Sequence, residues 1–119
     1  MSLPINQRLH VGIAGTGIYI PESRMTAAQI SAATHNQWSE EAIIQKLGIV
    51  EQPMPGEGDG TQEMGVKAAL DCLKNTNTPA PEIDLIISIG EEWKEYPLTT
   101  TGIYIQEKIG AVNAWALAI

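Results

Sequence analysis

The chain has a single cysteine, Cys72, which excludes an internal disulfide framework and fits a reducing compartment. Basic residues are also scarce: seven Lys and Arg stand against fourteen Asp and Glu, a formal charge of −7. A nucleic-acid backbone calls for a basic footprint, so nucleic acid is excluded as a partner. A polyphosphate ligand would need basic residues gathered locally. No apolar run approaches the ~20 residues of a membrane span, and the start lacks a basic-then-apolar signal. No membrane contact is therefore expected, and the cytoplasm is the expected compartment. His10 and His35 lie far apart without Cys or a second His at ligand spacing, so a zinc site has no support. There are no internal repeats and no low-complexity tracts.

What is present suffices for a packed core. Of 119 residues, 44% are hydrophobic and 18% charged, which fits one small domain burying roughly two thirds of its unfolded surface. Residues 1–8 read as a leader whose Met1-Ser2-Leu3 start is of a kind that expression vectors leave. Residues 9–119 read as the folded part.

The central stretch is 82–119. Ile83 to Gly90 reads as a buried strand, Pro97 to Ile109 as a helix, and Ala111 to Ile119 as a second apolar strand with Trp115 in the core. Apolar runs this continuous predict a parallel βαβ unit with both sheet faces covered. Before it, Leu9 to Ile20 reads as a first strand, whose Gly12, Gly15 and Gly17 mark a bend or a close backbone approach. Thr26 caps a helix over 27–34, and Ser39 with Glu40 and Glu41 opens another that Gly48 closes. Residues 51–60, rich in Pro and Gly, read as an exposed loop. A helix then starts near Thr61, its buried face formed by Val66, Leu70 and Leu73 beside Ala69 and Cys72. The order β-α-α-α-β-α-β is α/β.

Several residue groups invite chemistry and mostly decline it. Gly12, Gly15 and Gly17 lack the strand-to-helix context of a dinucleotide fingerprint, because Ile18-Tyr19-Ile20-Pro21 continues a strand. The loop Gly56-Glu57-Gly58-Asp59-Gly60 lacks the alternating ligands and closing acid of a calcium site and reads as a solvated turn. Cys72 on an apolar helix face reads as an inert small hydrophobe. Trp38, beside a capped helix, could stack on a purine while Lys46 answers a phosphate, but a hydrophobic staple or loop anchor is the simpler reading. Glu91 and Glu92, with Trp93 after them, stand at the carboxyl end of the central strand, where active-site groups collect in parallel sheets. Adjacent acids rarely converge as an acid/base pair. No nucleophile and base pair is visible, and no cofactor or metal is called for.

The order of the segments resembles the amino-terminal part of β-ketoacyl-acyl-carrier-protein synthase III and its relatives in the thiolase superfamily. The resemblance is carried by Gly15-Thr16-Gly17-Ile18-Tyr19-Ile20-Pro21-Glu22, by Lys46-Leu47-Gly48-Ile49, and by Met64-Gly65-Val66-Lys67-Ala68-Ala69. It continues through Ile83-Asp84-Leu85-Ile86-Ile87 and Ile105-Gln106-Glu107-Lys108-Ile109-Gly110-Ala111. It implies an α/β layered fold with a mostly parallel central sheet, of which 9–119 is a partial amino-terminal domain. It also implies a homodimer acting on acyl-CoA and acyl carrier protein. The family's nucleophilic cysteine follows the strand corresponding to Ala111–Ile119, at a helix amino end that favours the thiolate. Its histidine and asparagine lie further on. The resemblance therefore implies a fragment, catalytically inactive alone and liable to self-associate through uncovered apolar surface or the edge of its last strand.

For substrate binding, the resemblance implies Trp38 at the coenzyme A adenine. The family's arginine four residues later is here Ala42, and the nearby basic residue is Lys46, which lacks the flat stacking surface of Arg. It implies Leu98, or Tyr96, as the apolar side chain reaching the partner subunit's acyl pocket. Glu91 and Glu92 replace small hydroxyl residues, a departure that points to another acyl substrate. Two alternatives stand beside this reading: a 3-hydroxy-3-methylglutaryl-CoA synthase-like or other thiolase-superfamily acyltransferase, and a noncatalytic binding or oligomerisation domain.

Overall fold

A computed structural model describes residues 11–90 and 100–119. Among the described residues, four α-helices and four short strands form. Strand β1 (Arg24–Thr26) leads directly into α1 (Ala27–Ala33). At that junction Thr26 Oγ1 accepts from Gln29 N at 3.3 Å, and Thr26 N donates to Gln29 Oε1 at 2.8 Å. This reciprocal capping box satisfies two helix-end donors. Helix α2 (Glu40–Leu47) starts at Ser39, whose Oγ accepts from Ala42 N, and ends at Gly48 with φ +70°. Glycine takes that left-handed geometry without a Cβ penalty. The packing of α1 against α2 buries Ala27 and Ile43.

Within the expected loop 51–60, β2 (Glu51–Pro53) pairs antiparallel with β1, with Met25 opposite Gln52. Three residues around a proline carry too little alternation to be read as a strand, and tertiary pairing makes it one. Helix α3 (Thr61–Thr76) follows and is stopped by Asn77 in a left-handed turn. A 3-10 turn (Ala80–Glu82) then leads into β3 (Leu85–Ser88), α4 (Thr101–Ile109) and β4 (Trp115–Ala118). Strands β3 and β4 are parallel, with Leu85 opposite Trp115 and Ile87 opposite Leu117. The parallel βαβ unit stands as expected, with shorter strands: 111–114 is a turn that buries Ala111 and Ala114.

Three expectations need correction. Residues 11–20 form no strand. Ile18 N donates to Asp71 Oδ2 at 3.0 Å, and Asn75 Nδ2 to Thr16 O at 3.5 Å. Side chains of α3 therefore use backbone groups that a sheet ladder would need. The glycine reading does hold, since a Cβ on Gly17 would lie 2.6 Å from Cys72 Cβ and closer still to Ala68 O and Cys72 N. Second, among the described residues the β3–β4 sheet is covered on one face only. Helix α4 packs on it through Gly102, which meets the Leu117 backbone, while Trp115 on the other face is 81% exposed rather than core. Third, Leu70 is 46% exposed, because α3 has α4 on one side and no described element over Leu70. Between α3, α4 and β3 an apolar cavity of about 230 Å³ remains, walled by Ala69, Cys72, Ile86, Ile105 and Ile109. No described helix is long and apolar enough to cross a membrane.

Candidate functional site

Helices α3 and α4 run side by side in the same direction. The Tyr104 hydroxyl donates to Glu63, and a Cβ on Gly65 would lie 2.8 Å from Ile105 Cδ1. Gly102 meets Leu117, so the amino end of α4 lies at the carboxyl end of β4, and that of α3 lies beside it. Parallel sheets present their chemistry at this end. Two buried polar side chains mark it. Gln62 is 2% exposed and Thr101 4% exposed, and among the described residues neither the Gln62 amide nor the Thr101 hydroxyl has a hydrogen-bond partner. An unsatisfied buried group costs about 1–3 kcal/mol. Polar letters at a helix start suggest exposure, and the burial of these two is set by tertiary packing.

Of the expected site residues, only Trp38 and Lys46 fall within the described residues. Leu98 and Tyr96 lie outside the described residues, as do Glu91, Glu92 and Trp93. Trp38 and Lys46 flank α2. Trp38 is 46% exposed, and its carbonyl accepts from Ser31 Oγ at 2.7 Å. It occupies the position before the Ser39 cap, with buried Ile43 at the position a hydrophobic staple uses. Lys46 sits in the last turn, where a cation complements the helix dipole. At 1.5 Å rise per residue the two are about 12 Å apart along the helix axis. Cys72 is half-buried in the wall of the apolar cavity. No group of three or more His, Cys, Asp or Glu able to hold a metal occurs among the described residues.

One polar cluster was not anticipated. Lys67 Nζ donates to Asp59 Oδ1 at 2.6 Å, to Tyr19 Oη at 3.1 Å and to the Gly58 carbonyl at 3.2 Å. Tyr19 Oη donates to Asp59 Oδ1 at 2.5 Å, and Gly56 N to Asp59 Oδ2 at 3.1 Å. Far from a solvated turn, Asp59 is 9% exposed. Hydrogen bonds from Lys67 and Tyr19 lower its pKa from 3.8 to about 2, and the carboxylate in turn raises that of Lys67. All three ammonium protons are used, so the cluster is a clasp holding the 54–60 loop and residue 19 to α3. Its members lie up to 48 residues apart, beyond any local pattern.

The geometry defines a thiolase-like α/β fold. The crystal structure of 3-oxoacyl-[acyl-carrier-protein] synthase III from Aquifex aeolicus matches with a TM-score of 0.72 and 28% identity, covering 89% of this chain and 33% of that one. Beta-ketoacyl-[acyl-carrier-protein] synthase III of Rhodopirellula baltica is 34% identical over 103 residues, 86% of this chain and 28% of the relative. Its counterpart from Clostridium acetobutylicum is 38% identical over 104 residues, 87% and 31% respectively. Over the matched length the chain is β-ketoacyl-acyl-carrier-protein synthase III-like. It spans about 30% of the length of these curated relatives. No family model matches it.

Proposed function

We propose that these 119 residues are part of a synthase III-like condensing enzyme, an acyltransferase that joins an acyl group from acyl-CoA to malonyl-acyl carrier protein with release of coenzyme A and carbon dioxide. The parent works in the cytoplasm as a homodimer. Its nucleophilic cysteine lies outside these residues, and this chain alone is inactive. The observation that carries the reading is the synthase III likeness over 86–87% of the chain, laid on a parallel β3–α4–β4 unit. The half-buried placement of Cys72 within an apolar wall supports inactivity, because reactive thiols sit in accessible, electropositive surroundings.

The test is an assay of the 119-residue chain with radiolabelled acetyl-CoA and malonyl-acyl carrier protein. No condensation and no acyl label on Cys72 are expected; turnover by the isolated chain would refute the inactivity. In a parent protein that carries downstream sequence, condensation is expected. There Trp38→Ala should raise KM for acyl-CoA more than it lowers kcat, as lost substrate binding does. An unchanged KM would leave Trp38 as a loop anchor.

A further inference from the structure

We propose that Ser31 is a positioning residue for the indole of Trp38: its buried hydroxyl fixes the turn between α1 and α2 and so sets the pose in which Trp38 stacks on a purine ring. The proposal rests on the reading of Trp38 as a contact to the coenzyme A adenine, and it names the residue that holds Trp38 in place. Ser31 lies with Ala27 on the buried face of α1 and is 7% exposed. A serine inside a helix ordinarily returns its hydroxyl proton to a carbonyl of the preceding turn. Ser31 instead reaches forward, out of the helix. Its Oγ donates to Trp38 O at 2.7 Å, with Asn36 Oδ1 a longer second acceptor at 3.2 Å.

The same residue holds the rest of the turn. The Ser31 carbonyl accepts from Asn36 N at 2.8 Å and from Thr34 Oγ1 at 3.0 Å. Between these partners, His35 and Asn36 have φ of +53° and +58°. Non-glycine residues hold such a left-handed pair only where surrounding contacts over-determine it, and Ser31 supplies those contacts. On the other side of Trp38, Ser39 caps α2 and Ile43 is buried in its first turns. Trp38 is thus held through its carbonyl on one side and through the start of α2 on the other. With the peptide plane fixed, the Cα–Cβ bond has one direction and the indole keeps only its two side-chain torsions. Without the hydroxyl, the Trp38 carbonyl is freed and the stacking surface spreads over several poses. A purine then binds only the competent fraction, and the apparent affinity falls by that fraction. A mere loop anchor is the competing role, and it predicts lost stability with unchanged affinity.

Isothermal titration calorimetry with coenzyme A as the probe, in the parent protein that carries downstream sequence, decides between the two roles. Ser31→Ala should bind coenzyme A about fivefold more weakly, as loss of one hydrogen bond does. Trp38→Ala should lose about tenfold or more, the range of one unstacked base. Adding Ser31→Ala to Trp38→Ala should weaken binding by less than about twofold further, because Ser31 acts through the indole. Ser31→Cys is close in shape and carries a weak donor. It should fall between Ser31→Ala and the unchanged protein, and it replaces Ser31→Ala if that variant fails to fold. No binding of coenzyme A by the unchanged protein, or no loss on Trp38→Ala, would overturn the reading of Trp38 and this proposal together. A loss on Trp38→Ala beside an affinity unmoved by the Ser31 variants, or losses that simply add in the double variant, would overturn the positioning role alone.

Discussion

Replacing Gly17 by Ala tests how residues 15–19 sit on α3. The added methyl carbon would lie 2.6 Å from Cys72 Cβ and nearer still to the helix backbone at Ala68 O and Cys72 N. Carbon atoms prefer about 3.5–4.0 Å, so the segment must withdraw by roughly 1 Å. The obstacle is helix backbone, which cannot rotate away as a side chain would. Overpacking of this kind costs about 1–3 kcal/mol. Withdrawal also stretches the 3.0 Å bond from Ile18 N to Asp71 past hydrogen-bonding range, adding about 0.5–1.5 kcal/mol. Together about 1.5–4.5 kcal/mol is expected, or a Tm lower by roughly 6–18 °C for a domain this size. Gly12→Ala is the control, because a Cβ there meets nothing within 4 Å. It should leave stability unchanged or raise it by about 0.4–1 kcal/mol through the unfolded state. Urea unfolding followed by circular dichroism at constant m reads both. If Gly17→Ala falls within about 0.5 kcal/mol of the parent, the surface-substitution range, the close approach does not exist.

Further substitutions probe other joints. Gly102→Ala would place a Cβ 2.7 Å from Leu117 O, so α4 must lift from the sheet at a cost of about 1–3 kcal/mol, visible in the same titration. Thr26→Ala removes one arm of the capping box and should cost about 0.5–2 kcal/mol; Thr26→Ser should restore most of it. The Asp59 clasp predicts a pH dependence. Its folded pKa of about 2 lies below the unfolded 3.8, so its stabilisation is present above pH 3.8 and fades as pH falls toward 2. Lys67, raised above 10.5, adds stabilisation that is complete below that pH and is lost as pH climbs through the higher folded value. Lys67→Met should flatten both limbs of a Tm-against-pH profile, and a profile unchanged by the substitution would count against the clasp.

The sequence by itself determined the four helices and several of their ends. Thr26, Ser39 and Gly48 act through hydrogen bonds and φ angles within a few residues, so their letters carry the information; the last helix, expected from Pro97, is helical from Thr101 among the described residues. It also determined the parallel pairing of β3 with β4, because one crossover helix and two apolar runs leave few ways to connect, and it marked Gly17 as a point of close approach. Tertiary structure decided what depends on distant partners. Residues 11–20 have strand-like letters, yet Asp71 and Asn75 of α3 take their backbone groups. Glu51–Pro53 becomes a strand only because Arg24–Thr26 lies beside it. The clasp of Tyr19, Asp59 and Lys67 needs three segments in register before any of its bonds exists. Trp115 has the composition of a core residue, but burial belongs to neighbours: hydrophobicity says that a side chain gains from being covered, and only the packed chain says whether anything covers it.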